Sequence, residues 1–197
     1  MTDNITGIIL AGGKSRRMGT DKSFVLWNGK PAIEILIDKM ASLFSELIIV
    51  TNRPHLYKKY EIKTVKDVLP DRGPLGGIYS GLLLSKRMYG FVVACDMPFL
   101  NLDSVRYIAG KREGYDAVVA EFNGRFEPLC AVYSKNCIKS IENRFSANNL
   151  RVVDFLRDIK LRIIEEKEFR EVDSGRACFV NINTPEEYSK YKDNSIY

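Results

Sequence analysis

The chain has one histidine among its 197 residues, and its four cysteines form no Cys-x-x-Cys pair. Zinc centres need several closely spaced Cys or His ligands, so a zinc site is not expected. The sequence shows neither an apolar run of about 18 residues nor a signal peptide, so we expect a cytoplasmic protein without a membrane partner. Three cysteines lie in apolar runs and are expected to be buried free thiols: Cys95, Cys130 and Cys178.

Long blocks of one charge are also missing, although the net charge is +5. Such a mild, interspersed excess gives no reason to expect a nucleic-acid partner. No Ser-His-Asp or Cys-His nucleophile is apparent, because the single histidine, His55, is interpreted as a surface loop residue. The hydrophobic content of 45% and the length predict one soluble domain over residues 1–197.

The most informative stretch begins with a buried strand at residues 6–11 and then breaks at Gly12 and Gly13. Four cations follow within nine residues: Lys14, Arg16, Arg17 and Lys22. Glycines let backbone N–H groups approach an anion, and Arg and Lys neutralise the oxygens that the backbone cannot reach. This pattern favours a phosphate-binding loop over an ordinary strand-to-helix turn with a solvated basic loop.

Two familiar phosphate loops are excluded by spacing. A P-loop ending in Gly13-Lys14-Ser15 needs a glycine at position 8, which is Ile8. The dinucleotide fingerprint fails because Gly12 and Gly13 are adjacent and Ser15 stands where a glycine is required. The loop therefore belongs to another class of phosphate site.

The rest of the chain alternates strands with helices. Apolar runs predict strands at residues 47–51, 61–68, 91–95, 116–120, 128–134, 161–164 and 178–182, with helices between most of them. Alternation of this kind predicts an α/β fold, a three-layer, mostly parallel, doubly wound sheet with helices on both faces. The turn signal Asn123-Gly124 predicts one antiparallel excursion between Glu121 and Val132.

Polar residues follow several of these strands directly. They are Asn52, Asp67, Asp96 and Asn183, in addition to the basic loop. In doubly wound sheets ligands bind beyond the carboxyl ends of the strands, so these positions are expected to converge on one edge.

Each of these residues has two interpretations, one as a functional residue and one as an ordinary structural or solvated residue. A carboxylate at Asp96 opposite a phosphate loop suits a Mg²⁺ ligand, but it can equally cap the next turn. Asp67 can accept from the paired N–H donors of a base, or it is a solvated loop charge. Asn52 can meet the nucleoside, and Asn183 is either a second metal ligand or a turn residue.

Several segments together resemble the molybdenum cofactor guanylyltransferases, a family of nucleotidyltransferases. The segments are Leu10 to Lys22, Gly73-Pro74-Leu75-Gly76-Gly77-Ile78, Cys95-Asp96-Met97-Pro98-Phe99 and Asn181-Ile182-Asn183-Thr184-Pro185-Glu186. The resemblance implies a Rossmann-like nucleotidyltransferase that moves GMP from Mg-GTP to the terminal phosphate of molybdopterin or molybdenum cofactor. It also leaves room for molybdoenzymes or cofactor-delivery proteins as partners.

Carried over by position, the resemblance assigns nucleotide binding to Leu10, Ala11, Gly12, Gly13, Lys22, Asn52, Asp67 and Asp96. It also implies that Asp96 binds Mg²⁺. Within the matched motifs we add Arg17 as a catalytic residue, together with Lys22 and Asp96, and Asn183 as a second Mg²⁺ ligand. Glu127-Pro128-Leu129 resembles the segment on the pterin side of the family.

Two alternatives remain open. A cytidylyl- or sugar-phosphate nucleotidyltransferase would keep the fold and change the donor, although Gly13 favours the guanylyl branch. A non-catalytic nucleotide-binding or adaptor protein would have carboxylates at the edge that are unimportant for turnover.

Overall fold

A computed structural model describes residues 4–12, 22–27, 29–173 and 179. Within these residues the strands are β1 Ile5–Leu10, β2 Leu26–Trp27, β3 Lys30–Pro31, β4 Leu47–Val50, β5 Lys63–Val65, β6 Tyr89–Ala94, β7 Ala117–Phe122, β8 Arg125–Phe126, β9 Cys130–Ser134 and β10 Leu161–Glu165. The helices are α1 Ala32–Ala41, α2 Gly73–Leu84, α3 Leu102–Gly110, α4 Cys137–Ser146, α5 Val152–Phe155 and α6 Glu166–Phe169. Short 3₁₀ turns cover Lys22–Phe24, Pro54–Tyr60 and Leu156–Asp158.

The main sheet of the described residues has eight strands in the order β10-β7-β9-β6-β1-β4-β5, with β8 paired to β7. Strand β1 lies between β4 and β6 and is parallel to both, and β4 is parallel to β5. Strand β9 is antiparallel to its neighbours β6 and β7, while β10 is parallel to β7. The predicted mostly parallel sheet with one antiparallel excursion is therefore confirmed.

Two apolar cores cover the two faces of the sheet. On one face, α1 and α3 pack through residues such as Ile33 and Ile108. On the other, α2, α4 and α5 pack through residues such as Leu82, Ile141 and Phe155. Both faces of β1 are buried, as expected for a central parallel strand. The three-layer arrangement follows from this double coverage, whereas one domain over residues 1–197 stays a prediction.

Helix α2 begins earlier than the sequence suggests. The run from Pro70 to Ile78 is rich in Gly and Pro and predicts an irregular loop, yet the helix starts at Gly73. Pro74 is tolerated in a first helical turn, where its missing N–H has no partner to lose. Glycine is needed because a Cβ at Gly81 would come within 2.6 Å of Ile8 Cγ2, so the helix approaches β1 closely.

Other local predictions have mixed outcomes. The turn at Asn123 and Gly124 has positive φ at both residues and joins β7 to β8, as predicted. Cys95 and Cys130 are buried, as expected, and Cys137 is buried as well. Of the predicted last strand at 178–182 only Phe179, which is buried, is described, and Cys178 lies outside the described residues. No helix in the described ranges combines the length and apolarity required to cross a bilayer.

Candidate active site at the carboxyl edge of the sheet

The carboxyl ends of four parallel strands lie side by side. Leu10 is in register with Val50 on β4 and with Ala94 on β6, and Val50 is in register with Val65 on β5. Two backbone hydrogen bonds extend this register past the strand ends, from Ala11 N to Val50 O and from Cys95 N to Leu10 O. The residues that follow β1, β4, β5 and β6 therefore share one edge of the sheet.

The first strand brings Leu10, Ala11 and Gly12 to this edge. Leu10 and Ala11 are buried and hydrogen-bonded into the sheet, so their main effect is to set the position of Gly12. Gly12 is exposed, and apart from its chain neighbours no atom of the described part of the chain lies within 4 Å of where its Cβ would stand. A phosphate group can thus approach this backbone without meeting a described side chain.

Two of the predicted nucleotide-binding residues contact each other. Asn52 follows β4 and Asp67 follows β5, and the Asn52 amide donates to Asp67 Oδ2 at 3.0 Å. The pair forms because β4 and β5 are parallel neighbours, although 15 positions separate the two residues. Asn52 is exposed and Asp67 is half-buried at the outer end of the edge.

The second carboxylate oxygen of Asp67 is in a different situation. Asp67 Oδ1 is buried and, within the described residues, has no hydrogen-bond partner. Burial raises the pKa of Asp67 above its ordinary value, and the bond from Asn52 opposes this shift. An unpaired buried acceptor is costly, so an N–H donor that reached this oxygen would be stabilising.

Asp96 lies one residue beyond the buried Cys95 and is partly exposed. The turn that carries it is tied to the sheet by Cys95 N, which donates to Leu10 O, and is closed by Met97 N, which donates to Ala94 O at 3.3 Å. Asp96 therefore shares the edge with Gly12, on the neighbouring strand. The described residues contain no cluster of three or more His, Cys, Asp or Glu suited to a metal ion.

Contacts that the sequence did not reveal hold the surroundings of Asp96. Lys39 on α1 donates to the carbonyl of Pro98 at 3.2 Å, and burial lowers the pKa of this lysine. Ala94 N donates to Leu129 O, so the segment before β9 lies beside the end of β6. The Tyr133 hydroxyl donates to Pro128 O at 2.7 Å and fixes the same segment. A basic residue in a helix or a tyrosine in a strand carries no sequence signal for such a role.

The remaining predicted site residues are not described. Gly13, Arg17 and Asn183 lie outside the described residues, and of Lys22 only the backbone, in a short 3₁₀ turn, is described. Their roles stay predictions. His55, expected at the surface, is exposed in the 3₁₀ turn after β4.

Comparisons with known proteins identify the family and the fold. The family model described as MobA-like NTP transferase domain matches residues 7–161. A probable molybdenum cofactor guanylyltransferase from Natranaerobius thermophilus is 39% identical over 95% of this chain and 94% of its own length.

Two solved structures share the fold. Molybdopterin-guanine dinucleotide biosynthesis protein A from Archaeoglobus fulgidus superposes with a TM-score of 0.84 at 24% identity, covering 95% of this chain and 96% of its own. The 4-diphosphocytidyl-2C-methyl-D-erythritol synthase from Anaerococcus prevotii superposes with a TM-score of 0.70 at 13% identity, covering 96% and 97%. The fold is thus that of nucleotidyltransferases, and the match over residues 7–161 shows that the chain belongs to the MobA-like NTP transferase family.

Proposed function

We propose that this protein transfers GMP from GTP to the terminal phosphate of molybdopterin or its molybdenum-loaded form, with release of pyrophosphate. Family membership supports a nucleotidyltransferase, and the names of the relatives support molybdenum cofactor biosynthesis. The single observation that carries the choice of donor is the buried Oδ1 of Asp67 beside Asn52, which has no hydrogen-bond partner among the described residues.

Asp67 and Asn52 form the base-binding end of the edge. Guanine presents N1–H and the 2-amino group side by side, and a carboxylate accepts from such a pair with both oxygens. Cytosine presents its exocyclic amine, a donor, beside a ring nitrogen that is an acceptor. The two carboxylate oxygens of Asp67 can accept from the amine but cannot donate to the nitrogen. The buried oxygen therefore favours guanine over cytosine.

The phosphates lie toward the centre of the sheet in this proposal. From β5 to β6 there are three inter-strand spacings, about 14 Å, a span that an extended nucleoside triphosphate covers. Gly12 offers backbone that phosphate oxygens can approach, and Arg17 and Lys22 are proposed to neutralise charge on them. With the base at Asp67, the α-phosphate is directed toward Asp96.

Asp96 is proposed to hold Mg²⁺ together with Asn183. Mg²⁺ is usually bound through only one or two protein carboxylates, and Asp96 is a partly exposed carboxylate. When bound, the ion neutralises charge on the triphosphate and makes the α-phosphorus more electrophilic. The protein residues orient the donor in line with the acceptor and exclude other arrangements.

The acceptor enters from the other side of Asp96 in this proposal, beside Glu127-Pro128-Leu129. Its terminal phosphate oxygen attacks the α-phosphorus of GTP, a new phosphorus–oxygen bond forms, and the bond to the β-phosphate oxygen breaks. The electron pair of that bond leaves with pyrophosphate. Cofactor-delivery proteins or molybdoenzymes are proposed to receive the product, without a nucleic-acid partner.

The proposal is tested by measuring pyrophosphate release with molybdopterin and Mg²⁺ and with each nucleoside triphosphate in turn. The expected result is release with GTP and appearance of the guanine dinucleotide by mass spectrometry. Equal use of CTP would overturn the guanine assignment and favour the cytidylyl alternative. Absence of release with every nucleotide and phosphorylated acceptor would favour the non-catalytic binding protein.

A further inference from the structure

Ser80 is a fully buried hydroxyl in the middle of α2 that the proposed chemistry does not use. Its Oγ accepts a hydrogen bond from Val68 N at 2.9 Å and donates to Gly76 O at 2.8 Å. Val68 directly follows Asp67. The hydroxyl therefore ties the peptide that leads out of Asp67 to the helix underneath.

Few contacts hold the peptide directly after Asp67, although its neighbours are packed. Strand β5 has three residues and lies at the edge of the sheet, and the Val68 side chain is 44% exposed. Val65 and Leu69 pack against the core, and Leu69 O lies 3.5 Å from where a Cβ on Gly76 would stand. The buried hydrogen bond from Val68 N to Ser80 is accordingly the contact that holds the peptide between these two packed residues.

We propose that Ser80 is a positioning residue for base recognition, which sets Asp67 so that its buried Oδ1 faces the guanine edge. The inference rests on the proposed function of Asp67. The Val68 amide fixes the backbone rotation after Asp67 and with it the direction of the carboxylate. Loss of the acceptor lets the segment relax toward water, where Oδ1 is solvated and reads the base less strictly.

The test compares Kd values for GTP and for inosine triphosphate, which lacks the 2-amino group, by calorimetry with Mg²⁺ and no acceptor. The unchanged protein is expected to prefer GTP by about tenfold or more, because one hydrogen bond to a carboxylate is lost with inosine triphosphate. In Ser80→Ala this preference is expected to fall to about twofold. Ser80→Cys, whose sulfur is a weak acceptor, is expected to lie between and serves if the alanine variant does not fold.

Ser85→Ala is the matched control. Ser85 is also buried, lies at the end of the same helix and donates only to Leu82 O and Arg87 O, away from Asp67. Both variants are expected to lower the melting temperature, but only Ser80→Ala should change the ratio of Kd values. A change in stability alone would leave this ratio intact.

Asp67→Asn distinguishes a failure of base recognition by Asp67 from a failure of the positioning role of Ser80. If it leaves the ratio of Kd values unchanged, Asp67 does not read the base, and the proposed function of that residue fails together with the inference. If it abolishes the preference while Ser80→Ala and Ser80→Cys keep the ratio of the Ser85→Ala control, the base reader stands and the role of Ser80 is overturned.

Discussion

The two ends of the site are held by different kinds of contact. Asp96 follows a central strand with partners on both sides, and its turn is held by backbone bonds to the sheet and by Lys39. Asp67 follows a three-residue edge strand and depends on side-chain bonds, to Asn52 and through Val68 to Ser80. Backbone contacts of the central sheet therefore hold the proposed catalytic end. The position of the proposed base end depends on single side chains and changes when one of them is replaced.

The largest effect is expected from Asp96→Ala. Loss of a group that stabilises transition-state charge is expected to lower kcat by about 10³-fold. The fold should be retained, because Asp96 is partly exposed and its turn is held by backbone bonds. Steady-state kinetics and circular dichroism check this. Activity within tenfold of the unchanged protein would show that the end of the site at Asp96 is not the catalytic end.

Asp67→Asn is expected to act on binding rather than turnover. The Kd for GTP should rise by about tenfold to a hundredfold, since hydrogen bonds to a charged group are lost, and kcat should change less. Calorimetry and steady-state kinetics separate these quantities. A fall in kcat with unchanged Kd would contradict the contrast between the two ends.

Asp67→Asn is also expected to be more stable than the unchanged protein at neutral pH. Burial raises the pKa of Asp67, so the folded protein holds this proton more tightly than the unfolded chain, and the ionised group destabilises the fold above that pKa. The gain in melting temperature should shrink as pH falls through the folded pKa and vanish below the ordinary carboxyl range. Thermal scans across acidic to neutral pH measure it; a gain independent of pH would contradict the assignment.

Lys39→Met tests the contacts that hold the Asp96 end of the site. The variant keeps the length of the side chain and removes the bond to Pro98 O, so the turn after Asp96 loses one support of several. We expect kcat to fall by about threefold to tenfold while the Kd for GTP stays within twofold, a loss of about one hydrogen bond. An equal change in both quantities would show that the two ends are mechanically coupled.

The smallest effect is expected from Gly77→Ala. A Cβ there would stand 3.0 Å from Leu10 Cδ2, the flexible end of a side chain, and alanine favours the helix by about 1 kcal/mol. Stability and activity should therefore change little. Gly81→Ala is the contrasting variant, because its Cβ would meet the stiff Ile8 Cγ2 at 2.6 Å and is expected to cost about 1–3 kcal/mol. Denaturant unfolding distinguishes them.

Buried strands and the hairpin were predictable because their signals are local. Apolar runs mark β1, β4 and β6, and Asn123-Gly124 marks the turn into β8. The start of α2 was not predictable, because its glycines and its proline locally favour a loop. Gly81, further along the helix, is required by the close approach to Ile8, which no local signal indicates. The convergence of Gly12 and Asp96 follows from the rule for parallel sheets, but the bond between Asn52 and Asp67 depends on which strands become neighbours. Ser80 lies in an apolar run and carries no signal at all.

The reversed direction of β9 has a consequence for how such proteins diversify. Because β9 begins at the edge where β6 ends, the peptide before it, Glu127 to Leu129, arrives there from the β7–β8 hairpin. Every described residue that we propose for the nucleotide precedes this hairpin in the chain. Insertions at its exposed tip would therefore lie beside the proposed entrance for the acceptor and leave the residues proposed for the nucleotide unchanged.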